Sequence, residues 1–215
     1  MSTQKQPVGW TMQQVLLAAS SNALVYIQGE RGSGREFTAR LIHQQSLKQG
    51  EFIVVDCTLY KKHPQPYLQL MAAANGTLVP KNSADLSTEG YAQVMDILQQ
   101  AQTDTTCPRL ILCGSKDASD ITAHIRPDII EQLKVVRITL TPLRERMEDF
   151  PSLIKNLLGR MHYVNALHDL QLDDIAYQKL NAHNWHGNIK ELESVLLNAA
   201  QTTRTGVIQA SHIRL

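Results

Sequence analysis

The chain has 215 residues, 43% hydrophobic and 19% charged, with 21 Lys and Arg against 20 Asp and Glu for a formal charge of +1. That is enough apolar material to bury a full core. The charge is even along the chain, 13 basic against 12 acidic residues up to Thr139 and 8 against 8 beyond it, which argues against a broad surface for nucleic-acid phosphates. No apolar run reaches the ~20 residues that cross a bilayer, and the opening MSTQKQPVGW lacks the apolar stretch of a secretory signal. Cys57, Cys107 and Cys113 form no CxxC pair. The sequence therefore reads as cytosolic, with buried reduced thiols and no metal centre built from cysteine.

Short aliphatic runs recur through the first two thirds: Ala23–Gln28, Phe52–Asp56, Gly76–Val79, Arg109–Cys113 and Val135–Leu140. Each has the length and β-branched content of a strand buried on both faces. Helical patterns lie between them. The clearest is Gly90–Gln102, where Val94, Ile97, Leu98 and Ala101 form one apolar stripe. This alternation predicts a doubly wound α/β sandwich. Beyond Thr141-Pro142 the pattern becomes helical, predicting three helices and no strand. Pro151 suits a first helical turn, Asp173 or Asp174 a cap, and Asn188-Ile189-Lys190-Glu191 a capping box ahead of Leu192, Val195, Leu196 and Ala199.

Directly after the first strand comes Gly29-Glu30-Arg31-Gly32-Ser33-Gly34-Arg35-Glu36, leading into the helical run Phe37–Gln45. A glycine-rich turn between strand and helix lets backbone N–H groups converge on a phosphate at the positive end of the helix. The spacing is GxxxxG followed by a basic residue. Arg35 stands where that pattern carries Lys, and Glu36 where it carries Ser or Thr. A planar guanidinium is bulkier than an ammonium and makes different contacts, so tight phosphate binding is not guaranteed by the pattern. A glycine-rich turn without a ligand is the competing reading.

Several segments together resemble the AAA+ ATPase domain of bacterial enhancer-binding proteins, the NtrC-type activators of sigma-54 RNA polymerase. They are Val8–Gln13, GERGSGREFTARLIHQQS from Gly29, EFIVVDC from Glu51, ANGTL from Ala74, RPDIIEQLKVVRITLTPLRERMEDFP from Arg126 and WHGNIKELESV from Trp185. The resemblance covers nearly the whole chain in order. It implies a P-loop AAA+ parallel-sheet sandwich with a small C-terminal helical lid, divided as 1–141 and 142–215. It also implies ring oligomers, ATP hydrolysed between subunits, and a GAFTGA loop that remodels the promoter complex.

Position by position, most of the machinery is exchanged. The resemblance places Lys81 and Asn82 where family members carry adjacent Asp and Glu, the carboxylates that help hold Mg²⁺ and orient water in phosphoryl transfer. A lysine cannot ligate a cation and repels one at close range. The first sensor position reads Ser115. Of two arginines that reach a neighbouring subunit's nucleotide, Arg126 is kept and the other reads Gln132; losing such a finger costs on the order of 10³–10⁵ in rate in P-loop enzymes. The second sensor arginine reads Lys190. Only 18 residues separate Cys57 from Gly76, too few for the long remodelling insertion, and no GAFTGA-like string occurs. These 215 residues are expected to include neither the helix-turn-helix reader nor the receiver that family members usually carry, so DNA binding by this chain alone is not expected.

Other side chains invite sharper readings. Arg126, Arg144 and Arg146 suit an intersubunit contact, or equally surface ion pairs with Asp128, Glu145, Glu148 and Asp149. Lys61, Lys62 and His63 read as a solvated loop rather than a nucleic-acid contact. His183 and His186 flank Trp185 without a carboxylate or thiol partner at a useful spacing, so a metal is not expected and Trp185 belongs to the lid core. Ser33 has no identifiable base. The expectation is a degenerate AAA+ module acting through a protein partner, an AAA+ relative or another transcription component, as part of an oligomer and away from membranes. No catalytic residue and no metal ligand is assigned. Gly29, Gly32, Ser33, Gly34, Arg35, Glu36 and Lys190 are the residues for weak ATP or ADP binding, with Mg²⁺ disfavoured and Arg126 facing a neighbour. The alternatives are a non-hydrolysing sensor of ATP, ADP or a cyclic dinucleotide, and a slow ATPase that recruits Asp85 or Glu89.

Overall fold

The computed structural model describes residues 12–21, 23–60, 75–82, 85, 88–101, 104, 106–115, 135–165, 170–203 and 205–215. Its contacts divide the chain into two compact units. One holds Arg35–Leu140 with the preceding segment up to Gly29; the other holds Glu30–Gly34 with Thr141–Leu215.

The first unit is a parallel sheet with helices. In chain order it contains α1 (Met12–Ala19), β1 (Val25–Gln28), α2 (Arg35–Gln45), β2 (Phe52–Asp56), β3 (Thr77–Lys81), α3 (Thr88–Gln100), β4 (Arg109–Gly114) and β5 (Val136–Thr139). The strand order is β2-β3-β4-β1-β5 and every pairing is parallel. All five predicted strands form. β4 is buried along its whole length and β1 at all but Gln28, as central strands covered on both faces must be. The predicted stripe on α3 is buried at Val94, Ile97 and Leu98, against Leu24, Tyr26, Leu78 and Leu112 of the sheet layer.

β3 runs two residues further than its aliphatic run suggests, through Pro80 to Lys81. Its register with β4 is Thr77–Arg109 and Leu78–Leu110, then Lys81–Cys113. The gap includes the proline, which has no N–H to donate. At the opposite edge the buried Arg109 guanidinium donates to the carbonyls of Ala18 and Ala19 at the end of α1, satisfying groups a helix terminus leaves open. Burial pulls the Arg109 pKa down to about 10.

The second unit carries α4 (Phe150–Asn165), β6 (Gln171–Leu172), α5 (Asp174–Asn181), α6 (Asn188–Thr202) and β7 (Val207–Ile208). Trp185 is fully buried in its core with Phe150, Leu157, Leu180, Leu192 and Leu196, and the indole N–H donates to Leu180 at 2.9 Å. Asp173 caps α5 as predicted, accepting from the Ala176 N–H at 2.6 Å. The expectation of a lid without strands is corrected: β6 and β7 pair in parallel, Gln171 with Val207 and Leu172 with Ile208. Two-residue strands are too short to leave a periodic signal. No helix among the described residues is long and apolar enough to cross a membrane.

Candidate functional site

The glycine-rich loop leaves β1 at Gly29, whose N–H donates to the Gly114 carbonyl at 3.2 Å. It then turns tightly, Ser33 N–H to Glu30 carbonyl at 3.2 Å. Gly32 (φ 77°) and Gly34 (φ 105°) sit in the left-handed region where a side chain is strained. Arg35 is the first residue of α2. Glu36, in the same first turn, complements the helix dipole and pairs with Arg40 at 3.7 Å in an exposed position. Ser33 is fully buried, and its Oγ finds no hydrogen-bond partner among the described residues.

Two of the loop's carbonyl oxygens, which would repel an anion, are engaged by the start of α6. The Gly32 carbonyl accepts from the Lys190 N–H at 3.3 Å, and the Arg31 carbonyl from Asn188 Nδ2 at 3.1 Å. The approach is close: a Cβ on Gly32 would overlap the Gly187 carbonyl oxygen and lie 3.1 Å from the Lys190 Cβ. Lys190 thus serves this contact through its backbone, and its side chain is exposed.

Asn188 is the centre of this arrangement. It is fully buried at φ 57°. Its Oδ1 accepts from the Leu143 N–H at 2.8 Å, and its Nδ2 also donates to Glu30 Oε2 at 3.1 Å. Glu30 is further gripped by the Arg144 fork at 2.6 and 2.8 Å, a bidentate geometry that lysine cannot reproduce. Arg146 is buried and donates to the Ser33 carbonyl at 3.3 Å. Burial lowers its pKa, and Asp149 acts in the opposite sense.

Two expectations are corrected here. Asn188 does not cap α6: Gly187 is the N-cap, and Glu191 reaches back to its N–H at 2.7 Å. The Asn side chain is spent on the loop and on Leu143 instead. Arg144 is not principally a partner of its acidic neighbours either; Glu145 lies at 3.7 Å while Glu30 is the close partner. His183, weighed above as a metal ligand, hydrogen-bonds Glu191 at 2.9 Å and meets the Trp185 ring edge-on.

The other chemistry-bearing place is the carboxyl edge of the sheet, where Asp56, Lys81 and Cys113 stand in register on β2, β3 and β4. Lys81 Nζ lies 3.4 Å from Asp56 Oδ2. Asp56 Oδ1 accepts from Asn82 Nδ2 at 3.0 Å, from Thr58 N–H at 3.1 Å and from Thr58 Oγ1 at 2.8 Å. Burial pushes this carboxyl up, but the bonds from Thr58 and Asn82 and the Lys81 charge outweigh it and hold the pKa at about 2. Burial pushes the Cys57 and Cys113 thiols up to about 12, which makes them inert at neutral pH. All three cysteines are free and buried, as expected. Asp85, considered as a substitute carboxylate, follows Asn82 in a turn, its N–H on the Asn82 carbonyl at 2.9 Å.

These residues do not fit Mg²⁺, which asks for an octahedron of oxygen ligands. The Asp56 carboxylate is already neutralised by an ammonium and saturated on one oxygen. No group of three or more His, Cys, Asp or Glu among the described residues is placed to hold a metal. A phosphate fits the loop better: it keeps left-handed glycines immediately before a helix, ties down two carbonyls and buries one unpartnered hydroxyl. Arg126, Gln132, Asp128, Lys61, Lys62 and His63 lie outside the described residues, as does the side chain of Glu89.

Residues 6–143 match the family model of the Sigma-54 interaction domain, and residues 144–215 match the AAA+ ATPase lid domain. The chain belongs to the Sigma-54 interaction domain family. The resemblance read from its motifs is the right one. Among its relatives are the response regulator protein PilR of Pseudomonas aeruginosa, 32% identical over 92% of this chain and 51% of that protein, and the Nif-specific regulatory protein of Azospirillum brasilense, 29% identical over 94% of this chain and 37% of that one. The transcriptional regulator NtrC of Bradyrhizobium is 28% identical over 88% of this chain and 45% of its own length. The chain thus spans about half or less of these relatives. NtrX from Brucella abortus, crystallised with ADP, superposes with a TM-score of 0.74 at 22% identity, covering 99% of this chain and 56% of that one, which establishes the shared AAA+ fold.

Glu30, Asn188 and Arg144 escaped the sequence reading as a group because Glu30 lies 158 residues from Asn188 and 114 from Arg144. Asn188 carried one usable signal: an Asn after Gly187 is one of the few residues that tolerates the left-handed region.

Proposed function

We propose that this chain is a degenerate sigma-54-activator-type AAA+ module, a regulatory or interaction component of bacterial transcription control with little or no ATP hydrolysis. The observation that carries the reading is the Lys81–Asp56 ion pair, reinforced by Asn82, at the edge where the family's metal-holding carboxylates belong. Bound Mg²⁺ would polarise the phosphates and help place the attacking water; a neutralised, hydrogen-bonded Asp56 beside an ammonium offers it no vacant oxygen pair. The Gly29–Arg35 loop with Glu36 holds the nucleotide phosphates, and Lys190 and Arg126 are secondary contacts, Arg126 toward a neighbouring subunit.

The module acts by association. Docked through the ancestral subunit interface onto an intact relative, it places an inactive site in an oligomer; a sensor of nucleotide state is the same reading with ligand-dependent affinity for the partner. Phosphate release from Mg-ATP by the purified chain is the direct test. Turnover indistinguishable from the uncatalysed background is expected, unchanged by Arg35→Ala. Rapid release that disappears in Arg35→Ala would overturn the proposal. Mixing the chain with an active relative gives a second readout: the relative's turnover falls as inactive subunits enter its assembly, and no change across the titration counts against association.

A further inference from the structure

We propose that Asn188 is a positioning residue for phosphate: with the Lys190 N–H and Arg146 it holds back the carbonyls of the glycine-rich loop and so sets the direction of the loop's N–H groups. This rests on the reading that the loop takes a nucleotide phosphate, and concerns what makes the loop competent to do so. Every group involved belongs to the unit that holds Glu30–Gly34 with Thr141–Leu215.

Three successive loop carbonyls are gripped by three donors from the C-terminal segment. The Arg31 oxygen accepts from Asn188 Nδ2 at 3.1 Å, the Gly32 oxygen from the Lys190 N–H at 3.3 Å and the Ser33 oxygen from the Arg146 guanidinium at 3.3 Å. In a planar trans peptide the carbonyl and the N–H that follows it point in opposite directions. The N–H groups of Gly32, Ser33 and Gly34 are therefore each turned away from the donor on the preceding carbonyl. Of these, the Ser33 N–H closes the turn on the Glu30 carbonyl. An anion needs N–H groups before it and no carbonyl oxygen among them. Holding the carbonyls back serves both ends.

Glycine is what makes the holding necessary. Gly32 and Gly34, at φ 77° and 105°, pass between left- and right-handed backbone at little steric cost, so the peptides beside them rotate once released. Asn188 opposes that rotation from a fixed base. It is fully buried and anchored through Oδ1 to the Leu143 N–H at 2.8 Å. Its amide reaches both the Arg31 carbonyl and Glu30, whose charge the Arg144 fork neutralises. Linkage is reciprocal: if the gripped loop binds the anion better, the bound anion must strengthen the grip.

The test is calorimetric titration of the full chain with ATP, at a temperature where circular dichroism shows each variant folded. Asn188→Ala is expected to bind about tenfold more weakly than wild type. Leu158→Ala, which opens a cavity in the core around Trp185 from α4, is expected to lower stability and leave the affinity unchanged, which separates positioning from loss of stability. Amide hydrogen exchange on the wild-type chain adds a readout that needs no variant: saturating ATP slows the Lys190 amide by about tenfold. Equal affinities in wild type and Asn188→Ala overturn the inference and leave phosphate binding standing. So does an equal loss of affinity in Leu158→Ala, or exchange at Lys190 that is indifferent to ATP. A flat wild-type titration overturns the phosphate reading itself, and the inference with it.

Discussion

Two places in this molecule are assembled from the same three kinds of group: a carboxylate, an asparagine in the left-handed region and a cation. In the latch on the glycine-rich loop they are Glu30, Asn188 (φ 57°) and Arg144; at the sheet edge they are Asp56, Asn82 (φ 56°) and Lys81. The latch joins segments more than 100 residues apart, buries its asparagine completely and uses the planar fork of arginine. The edge joins neighbouring strands, leaves its asparagine partly open and uses a point charge at 3.4 Å. Like chemistry is therefore structural in one place and replaceable in the other. What separates them is the cost of leaving a group unpaired, which is high for a buried amide and low for a half-exposed ion pair.

Substitutions can break or sharpen that contrast. The largest effect is expected at Gly32→Ala, which combines a left-handed φ with overlap on the Gly187 carbonyl. A loss of about 3 kcal/mol is expected, read as a lower urea midpoint; wild-type stability would mean the loop does not press on the turn before α6. Asn188→Ala comes next. It strips the buried Leu143 N–H of its acceptor and Glu30 of a donor, at about 2 kcal/mol or more. A change below about 0.5 kcal/mol would place the latch among ordinary surface contacts.

At the sheet edge, Asp56→Asn is expected to cost only about 1 kcal/mol at neutral pH, and its effect should depend on acidity. The folded pKa of Asp56 is depressed to about 2 from an ordinary 3.8. Its stabilising contribution is therefore fully present above the unfolded value and fades as pH falls through that window toward the folded one. The gap between wild-type and variant urea midpoints should narrow on acidification from about pH 7 to about pH 3. A constant gap would show that the charge on Asp56 is immaterial. Arg144→Lys is expected to give the smallest change, a slight fall in midpoint that shrinks at high salt because the pair is partly exposed. A loss as large as that of Asn188→Ala would move the fork to the centre of the latch.

Much of the fold was legible in the residues. Five aliphatic runs became five parallel strands, the Val94–Ile97–Leu98 stripe faced the sheet, and Asp173 capped α5. Strand ends were less so: β3 continues through Pro80, and nothing in a proline announces that a strand resumes beyond it. The loop was found from its glycines, since left-handed backbone leaves a compositional trace. The latch was missed because hydrogen bonds between distant segments leave none, and Asn188, read as a helix cap, fits that local pattern equally well.

The amino-acid order alone determined the parallel sheet and the glycine-rich turn, because periodicity and backbone strain are properties of neighbours along the chain. Only the folded arrangement decided that Lys81 is neutralised by Asp56, that Asn188 serves the loop rather than its own helix, and that Gly32 has no room for a methyl group. Those outcomes depend on which groups meet across the fold, and partners of a buried polar atom are chosen by geometry that no local pattern records.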